Sequence, residues 1–195
     1  AMNFMIRPYI THLRVPVIAI TGTNGKTTIT RLLERIYLNA GYRTGTCSTS
    51  GVTHNGVIVE KGDLSWGWGA WKAAQCPDVD LLILETARGG MVKYGLGFTR
   101  CQVGIVTNVY EDHLGFDGIH TIEEMAEVKS MVPLHTEEKG TLVLNGDDPL
   151  VRAMAPKSRA RPIYFVMNHD SGEFENGFFL RGDHICRKME GEISR

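Results

Sequence analysis

The residues best suited to chemistry are Gly22, Gly25, Lys26 and Thr27, within VPVIAITGTNGKTTIT at 15–30. Two glycines let a backbone turn tightly, so that the N–H groups along Gly22, Thr23, Asn24, Gly25, Lys26, Thr27 and Thr28 can point at phosphate oxygens. Lys26 adds a positive charge, and the Thr27 hydroxyl suits Mg²⁺. The loop is the short GTNGKTT form, because Ile20 stands where the longer G-x-x-x-x-G-K-[ST] pattern needs its first glycine. A chance glycine turn is the plainer alternative, but the flanking strand and helix are the context that a phosphate loop requires.

Those elements are legible. Val17, Ile18, Ala19 and Ile20 read as a strand buried on both faces, and Ile29, Leu32, Leu33, Ile36, Tyr37 and Ala40 have helical spacing up to Gly41. The loop therefore opens a helix whose positive end faces the anion. Tyr42–Thr49 reads as a second strand, and His54-Asn55-Gly56 followed by Val57–Val59 as a short hairpin. Leu81–Leu84 is a further strand ending at Glu85, before a glycine-rich loop at 86–97.

In open parallel α/β sheets the ligand crevice lies beyond the carboxyl ends of the strands, where both the loop and Glu85 emerge. Glu85 is thus a candidate Mg²⁺ ligand, direct or through water, or else a helix-capping glutamate. Val103–Val106 runs into TNVYEDHLG at 107–115, which brings Asn108, Asp112 and His113 to the same edge. His113 could ligate a second metal or steady a charged intermediate, where a lone histidine is more often structural.

Residues 121–132 open with a T-x-x-E capping box; Ile122, Met125 and Lys129 share a face, which turns Lys129 inward instead of leaving it a surface lysine. Thr141–Leu144 forms a strand ending in NGDDP, with Asn145 placed to hydrogen-bond a purine edge and Asp148-Pro149 starting a short helix lined by Val151, Met154 and Ala155. Trp66, Trp68 and Trp71 read either as indoles packed on the sheet or as a substrate-facing aromatic wall.

The chain has 195 residues, 43% hydrophobic, enough for one domain with a real core. A net charge of −1 offers no basic field for nucleic acid or an anionic membrane. Apolar runs are of strand length, so no membrane span is expected. Cys47, Cys76, Cys101 and Cys186 are far apart, which suggests core thiols rather than zinc or disulfides. No signal-peptide pattern is present, leaving the cytoplasm as the default. Ala1 before Met2 looks like a tag scar within a lead-in at 1–14.

GTNGKTT at 22–28, Glu85, TNVYEDHLG at 107–115, Lys129 and LNGDDP at 144–149 together resemble the central ATP-binding domain of the Mur ligase superfamily. LETARGGMVKYGLGF at 84–98 is most similar to the cyanophycin synthetase branch, since cell-wall Mur ligases typically carry a serine-rich segment where this chain has Thr86-Ala87-Arg88-Gly89-Gly90. The resemblance covers about 15–167 and implies an α/β, P-loop NTPase-like fold: a mostly parallel sheet flanked by helices. A small C-terminal hairpin is expected around Asn176–Arg187.

The resemblance also implies a function: ATP-dependent amide-bond formation through an acyl phosphate, with ADP as product. Lys26 would contact the ATP phosphates, Thr27 and Glu85 would hold Mg²⁺, His113 would help place a second metal, and Asn108 and Asn145 would lie at the nucleotide, Asn145 near adenine. The lysine matching Lys129 is carbamylated in many members. In the cyanophycin branch the carboxylate belongs to a polymer aspartate and the amine to arginine; Arg88, in a loop beside the γ-phosphate, is the candidate grip on that acidic substrate. A C-terminal ligase domain would follow a domain at 15–195, so the isolated piece is expected to turn over nothing. Oligomers are compatible with the sequence. The rival readings are another Mur or folylpolyglutamate-type ligase domain, and a non-catalytic nucleotide-binding module.

Overall fold

The computed structural model describes residues 15–112, 114–167, 174–190 and 192–194. The expected lead-in at 1–14 and His113 lie outside the described residues. The central strand, β1 (Val17–Thr21), is buried at every position, as its run of apolar residues requires. It leads through the glycine loop into α1 (Lys26–Asn39). Next come β2 (Thr44–Ser48), β3 (Gly51–His54), β4 (Val57–Lys61), α2 (Gly67–Ala73), β5 (Leu81–Glu85), α3 (Arg88–Tyr94) and β6 (Cys101–Val106). The chain continues with α4 (Ile122–Lys129), α5 (Met131–Leu134), β7 (Thr136–Asn145), α6 (Pro149–Arg152), β8 (Arg161–Val166), β9 (Gly177–Arg181), β10 (His184–Met189) and β11 (Glu192–Ser194).

The described strands form one sheet in the order β11-β10-β9-β8-β7-β6-β1-β5-β2-β3-β4. Pairing is parallel from β2 through β9 across the middle of that order. It is antiparallel at both margins, in the β2–β3–β4 hairpins and in β9–β10–β11. The α/β architecture and C-terminal hairpin are therefore as the sequence leads one to expect, with β11 as an added third strand.

Alternation along β1 and β5 divides the core. Val17, Ala19, Leu82 and Leu84 join Cys47, Val52, Met91 and Val132 on one face. Ile18, Ile20, Leu81 and Ile83 meet Ile29, Leu33 and Tyr37 of α1 on the other. All four cysteines are free and buried. Register sets the level of the strand ends: Ile20 pairs with Glu85, Thr21 with Val106, and Val106 with Leu144. The phosphate loop, Glu85, Thr107 and Asn145 thus leave the sheet along one edge.

Two helical segments differ from the sequence expectation. The loop expected at 86–97 contains α3, because Met91 is 3% exposed in the core and tertiary contact overrides the poor helix propensity of glycine. Gly90 is required there, since a Cβ would lie 2.5 Å from that of Trp66. The single helix expected at 121–132 ends at Lys129 and restarts as α5, where Pro133 has no N–H to return to the preceding turn. The Thr121 capping box is present in full.

Leu84 is fully buried between these layers. Leu84→Ala should destabilise the domain by about 2–5 kcal/mol, read as a lower urea midpoint at unchanged slope.

Candidate nucleotide and metal site

The glycine loop is held by the segment after β6. Thr23 N–H donates to the Asn108 carbonyl at 2.9 Å, Asn24 N–H to Asn108 Oδ1 at 2.8 Å, and Tyr110 N–H to Thr23 Oγ1 at 3.0 Å. The Thr107 hydroxyl donates to the Asn24 carbonyl at 2.6 Å. Gly22 has φ +142°, and a Cβ there would fall 1.8 Å from Thr107 Oγ1, so only glycine fits. The Lys26 ammonium folds back to the Thr23 carbonyl at 2.8 Å. Burial lowers the Lys26 pKa, against the opposing charges of Glu85, Asp112 and Asp63. Thr28, in the first turn of α1, is exposed.

Glu85 is 1% exposed. Its Oε2 accepts from the Thr27 hydroxyl at 2.8 Å and from Thr49 N–H at 3.3 Å. Its Oε1 is buried without a partner. Burial raises the carboxyl pKa, while Thr27, Lys26 and the Thr49 amide pull it back. An unsatisfied buried carboxylate oxygen is costly. A hard cation between Oε1 and the Thr27 hydroxyl would satisfy it, and this donor set, completed by phosphate and water, suits Mg²⁺. Among the described residues no three His, Cys, Asp or Glu side chains gather into a metal cluster.

Beside this pair lies a cavity of about 230 Å³ whose lining includes Gly22, Lys26, Asp63, Arg88, Asp112 and Lys129. Lys129 is 2% exposed, inward as its helical position requires. Burial, reinforced by the charges of Lys26 and Arg88, lowers its pKa to about 7.

The remaining sequence candidates have occupations of their own. Arg88 donates to the Phe116 carbonyl at 2.8 Å and pairs with Asp117 at 3.5 Å, which also meets Lys93 at 3.0 Å. Asn108 Nδ2 donates to the Asn24 carbonyl at 3.3 Å, closing the clamp on the loop. Asn145 donates to the Thr107 carbonyl and accepts from Asp147 N–H, both at 2.9 Å. Asp148 caps α6 through Oδ1 and takes Val109 N–H on Oδ2 at 2.7 Å. The tryptophans divide: Trp68 and Trp71 stack at 4.6 Å against the core, whereas Trp66 meets Tyr94 near Gly90.

Sequence reasoning missed Thr107, Thr49 and Asp63. Thr107 begins a recognised motif, so its hydroxyl was there to be weighed. Thr49 and Asp63 carry no local signal, and only the hairpin's fold brings them here.

The model of the Mur ligase middle domain matches residues 20–190. The chain belongs to that family. It is 48% identical to cyanophycin synthetase of Synechocystis sp. over 172 residues, which is 88% of this chain and 20% of the relative. It is 33% identical to UDP-N-acetylmuramoylalanine–D-glutamate ligase of Geotalea uraniireducens over 92% of this chain and 35% of the relative. The chain thus spans about a fifth of the length of the cyanophycin synthetase it matches. Solved structures share the fold of this Mur ligase domain. UDP-N-acetylmuramoyl-L-alanyl-D-glutamate–2,6-diaminopimelate ligase aligns with a TM-score of 0.70 at 18% identity, over 93% of this chain and 39% of its own. A bifunctional folylpolyglutamate synthase/dihydrofolate synthase with Mn, AMPPNP and L-glutamate bound gives 0.65 at 16%, over 99% and 52%.

The lowered lysine has a thermodynamic signature. With Lys129 at about 7 folded and 10.5 unfolded, the unfolded chain binds more protons between those values, so stability rises with pH there. Urea unfolding should show that rise from about pH 7 until thiol ionisation in the unfolded chain, near 9.0, opposes it. The slope contributed by one proton is at most about 1.4 kcal/mol per pH unit, and Lys129→Met should flatten it. Glu85→Gln should remove the Mg²⁺ dependence of AMPPNP binding, measured by titration with and without the metal.

Proposed function

We propose that this Mur ligase middle domain binds Mg²⁺ and ATP for an ADP-forming carboxylate–amine ligase of the cyanophycin synthetase kind. The observation that carries this reading is the bare Glu85 oxygen beside the Thr27 hydroxyl, at the foot of a phosphate loop.

In this reading the amides of Gly22–Thr28 hold the β- and γ-phosphates. Lys26 swings from the Thr23 carbonyl to the γ-phosphate and neutralises charge where an anionic acceptor must approach. Thr27 and Glu85 would hold Mg²⁺, and His113 would help place a second metal. Bound there, the metal supplies polarisation of the phosphoryl group and screening of its charge. A carboxylate oxygen of the acceptor attacks the γ-phosphorus, the bond to ADP breaks, and an acyl phosphate forms. The amine nitrogen then attacks the acyl carbon, loses a proton, and phosphate leaves with the C–O bond electrons. The domain's contribution is positioning and electrostatics.

Lys129 with a pKa of about 7 has a large neutral fraction near neutrality. A neutral amine takes up CO₂ and releases a proton, and the resulting carbamate anion would balance Lys26 and Arg88, in keeping with the Mur ligase resemblance. Asn108 holds the loop at the nucleotide. Asn145 uses one amide N–H on Thr107 and has a second for adenine. Arg88 grips the acidic substrate by exchanging Asp117 for a substrate carboxylate.

The similarity to cyanophycin synthetase supports an aspartate polymer as acceptor and arginine as amine, in the cytoplasm. The domains that the longer relatives possess would complete the amine site, leaving the middle domain alone without turnover. No helix among the described residues is long and apolar enough to cross a membrane.

Calorimetry with Mg²⁺ and AMPPNP, comparing wild type with Lys26→Ala, tests the nucleotide site; at least a tenfold loss in the variant is expected. With flanking domains restored, ADP release should require arginine and an aspartate polymer together. A folded wild type that fails to bind the analogue would refute the nucleotide reading, and ADP release indifferent to both substrates would refute the assigned reaction.

A further inference from the structure

A second cavity, of about 240 Å³, lies between α1 and the β2–β3–β4 hairpins, away from the nucleotide crevice. Its lining includes Arg31 and Glu34 of α1, Thr46 of β2, Thr53 of β3 and Ser50 in the turn between those strands.

The polarity of this lining is unusual for a helix–sheet interface. The apolar residues of α1, Ile29, Leu33 and Tyr37, pack toward β1 and β5. Beside them, Glu34 instead meets hydroxyls, while the Thr30 hydroxyl turns back to the Lys26 carbonyl at 3.0 Å. On β2, buried Thr46 and Ser48 share one face by alternation, where packing alone would favour hydrocarbon. The Thr46 and Thr53 hydroxyls lie 2.6 Å apart, and both reach Glu34 Oε1. Glu34 Oε2 takes no hydrogen bond from the described residues. One turn back along the same helix, Arg31 Nη2 donates to Ser50 Oγ at 2.7 Å.

The cavity therefore presents a carboxylate oxygen and a guanidinium three residues apart on one helix face, a spacing that makes them neighbours. Adjacent opposite charges match the ammonium and carboxylate of an amino-acid head group, and the guanidinium fork suits a carboxylate. We propose that this cavity binds a free α-amino acid, its ammonium on Glu34 and its carboxylate on Arg31 and Ser50.

The site is separate from the nucleotide crevice yet close to it. Thr49, between Ser48 and Ser50, puts its hydroxyl 3.0 Å from that of Thr27 and its N–H on Glu85. A ligand held against Ser48 and Ser50 thus rests on the segment that supports the metal pair.

Amide NMR shifts of this chain, titrated with L-arginine, test the proposal. Saturable shifts confined to residues 30–34 and 46–58 are expected. Agmatine, which lacks the carboxylate, and N-acetyl-L-arginine, which lacks the ammonium, should each bind at least tenfold more weakly. Glu34→Gln and, on the exposed side, Arg31→Gln should each cost at least tenfold in L-arginine affinity. AMPPNP titration of the same samples reads the nucleotide site separately, so that failure of one reading leaves the other standing. The proposal is overturned by absent shifts, by shifts centred on 22–28 and 88, by equal binding of agmatine, or by unchanged binding in both folded variants.

Discussion

The Glu85 carboxylate, buried with one oxygen satisfied and the other bare, is the constraint on which this domain's site depends. Burial makes its charge costly, and nearby groups offset that cost only in part: a hydroxyl from Thr27, an amide from Thr49 and the field of Lys26. Each partner is delivered by a different element. β5 must end level with β1, α1 must begin directly at the glycine loop, and the β2–β3 turn must fold over both. An arrangement needing so many elements to hold an unsatisfied acid is poor design for stability alone and good design for a cation.

The same economy appears in the clamp around the loop. Gly22 lies so close to Thr107 that the loop and the strand-end segment fit only without a side chain between them. Asn108 fastens the loop from one side, while Asp148 fastens the segment after β6 to the end of β7. The loop is thereby held in shape by hydrogen bonds from its neighbours before any phosphate arrives, which reduces the ordering cost of binding. Around the cavity, Lys26 and Arg88 face Asp63 and Asp112, with Lys129 buried among them. Burial, reinforced by the charges of Lys26 and Arg88, is what lowers the Lys129 pKa.

Much of this was legible in the sequence because the signals were local. The run Val17–Ile20, the glycine loop, the Thr121 capping box and the strand ending at Glu85 each state their structure within a few residues. The inward position of Lys129 followed from helical spacing. Less legible were features decided by contact across the fold. Helix α3 forms in a glycine-rich segment because Gly90 packs on Trp66, and Thr49 reaches Glu85 only through the β2–β3 turn. The engagement of Arg88 with Asp117 was likewise invisible, since nothing in either segment names the other. Helical spacing puts Trp68 and Trp71 on one face, and the structure parts Trp66 from them because α2 starts after it.

The metal site is tested most directly by the position of a manganese ion, located by anomalous scattering, in crystals of this chain grown with Mn²⁺ and AMPPNP. A peak is expected within coordination distance of both Thr27 Oγ1 and Glu85 Oε1, on the analogue's phosphates. A metal held by the phosphates alone, with the Glu85 oxygen still bare, would contradict that expectation.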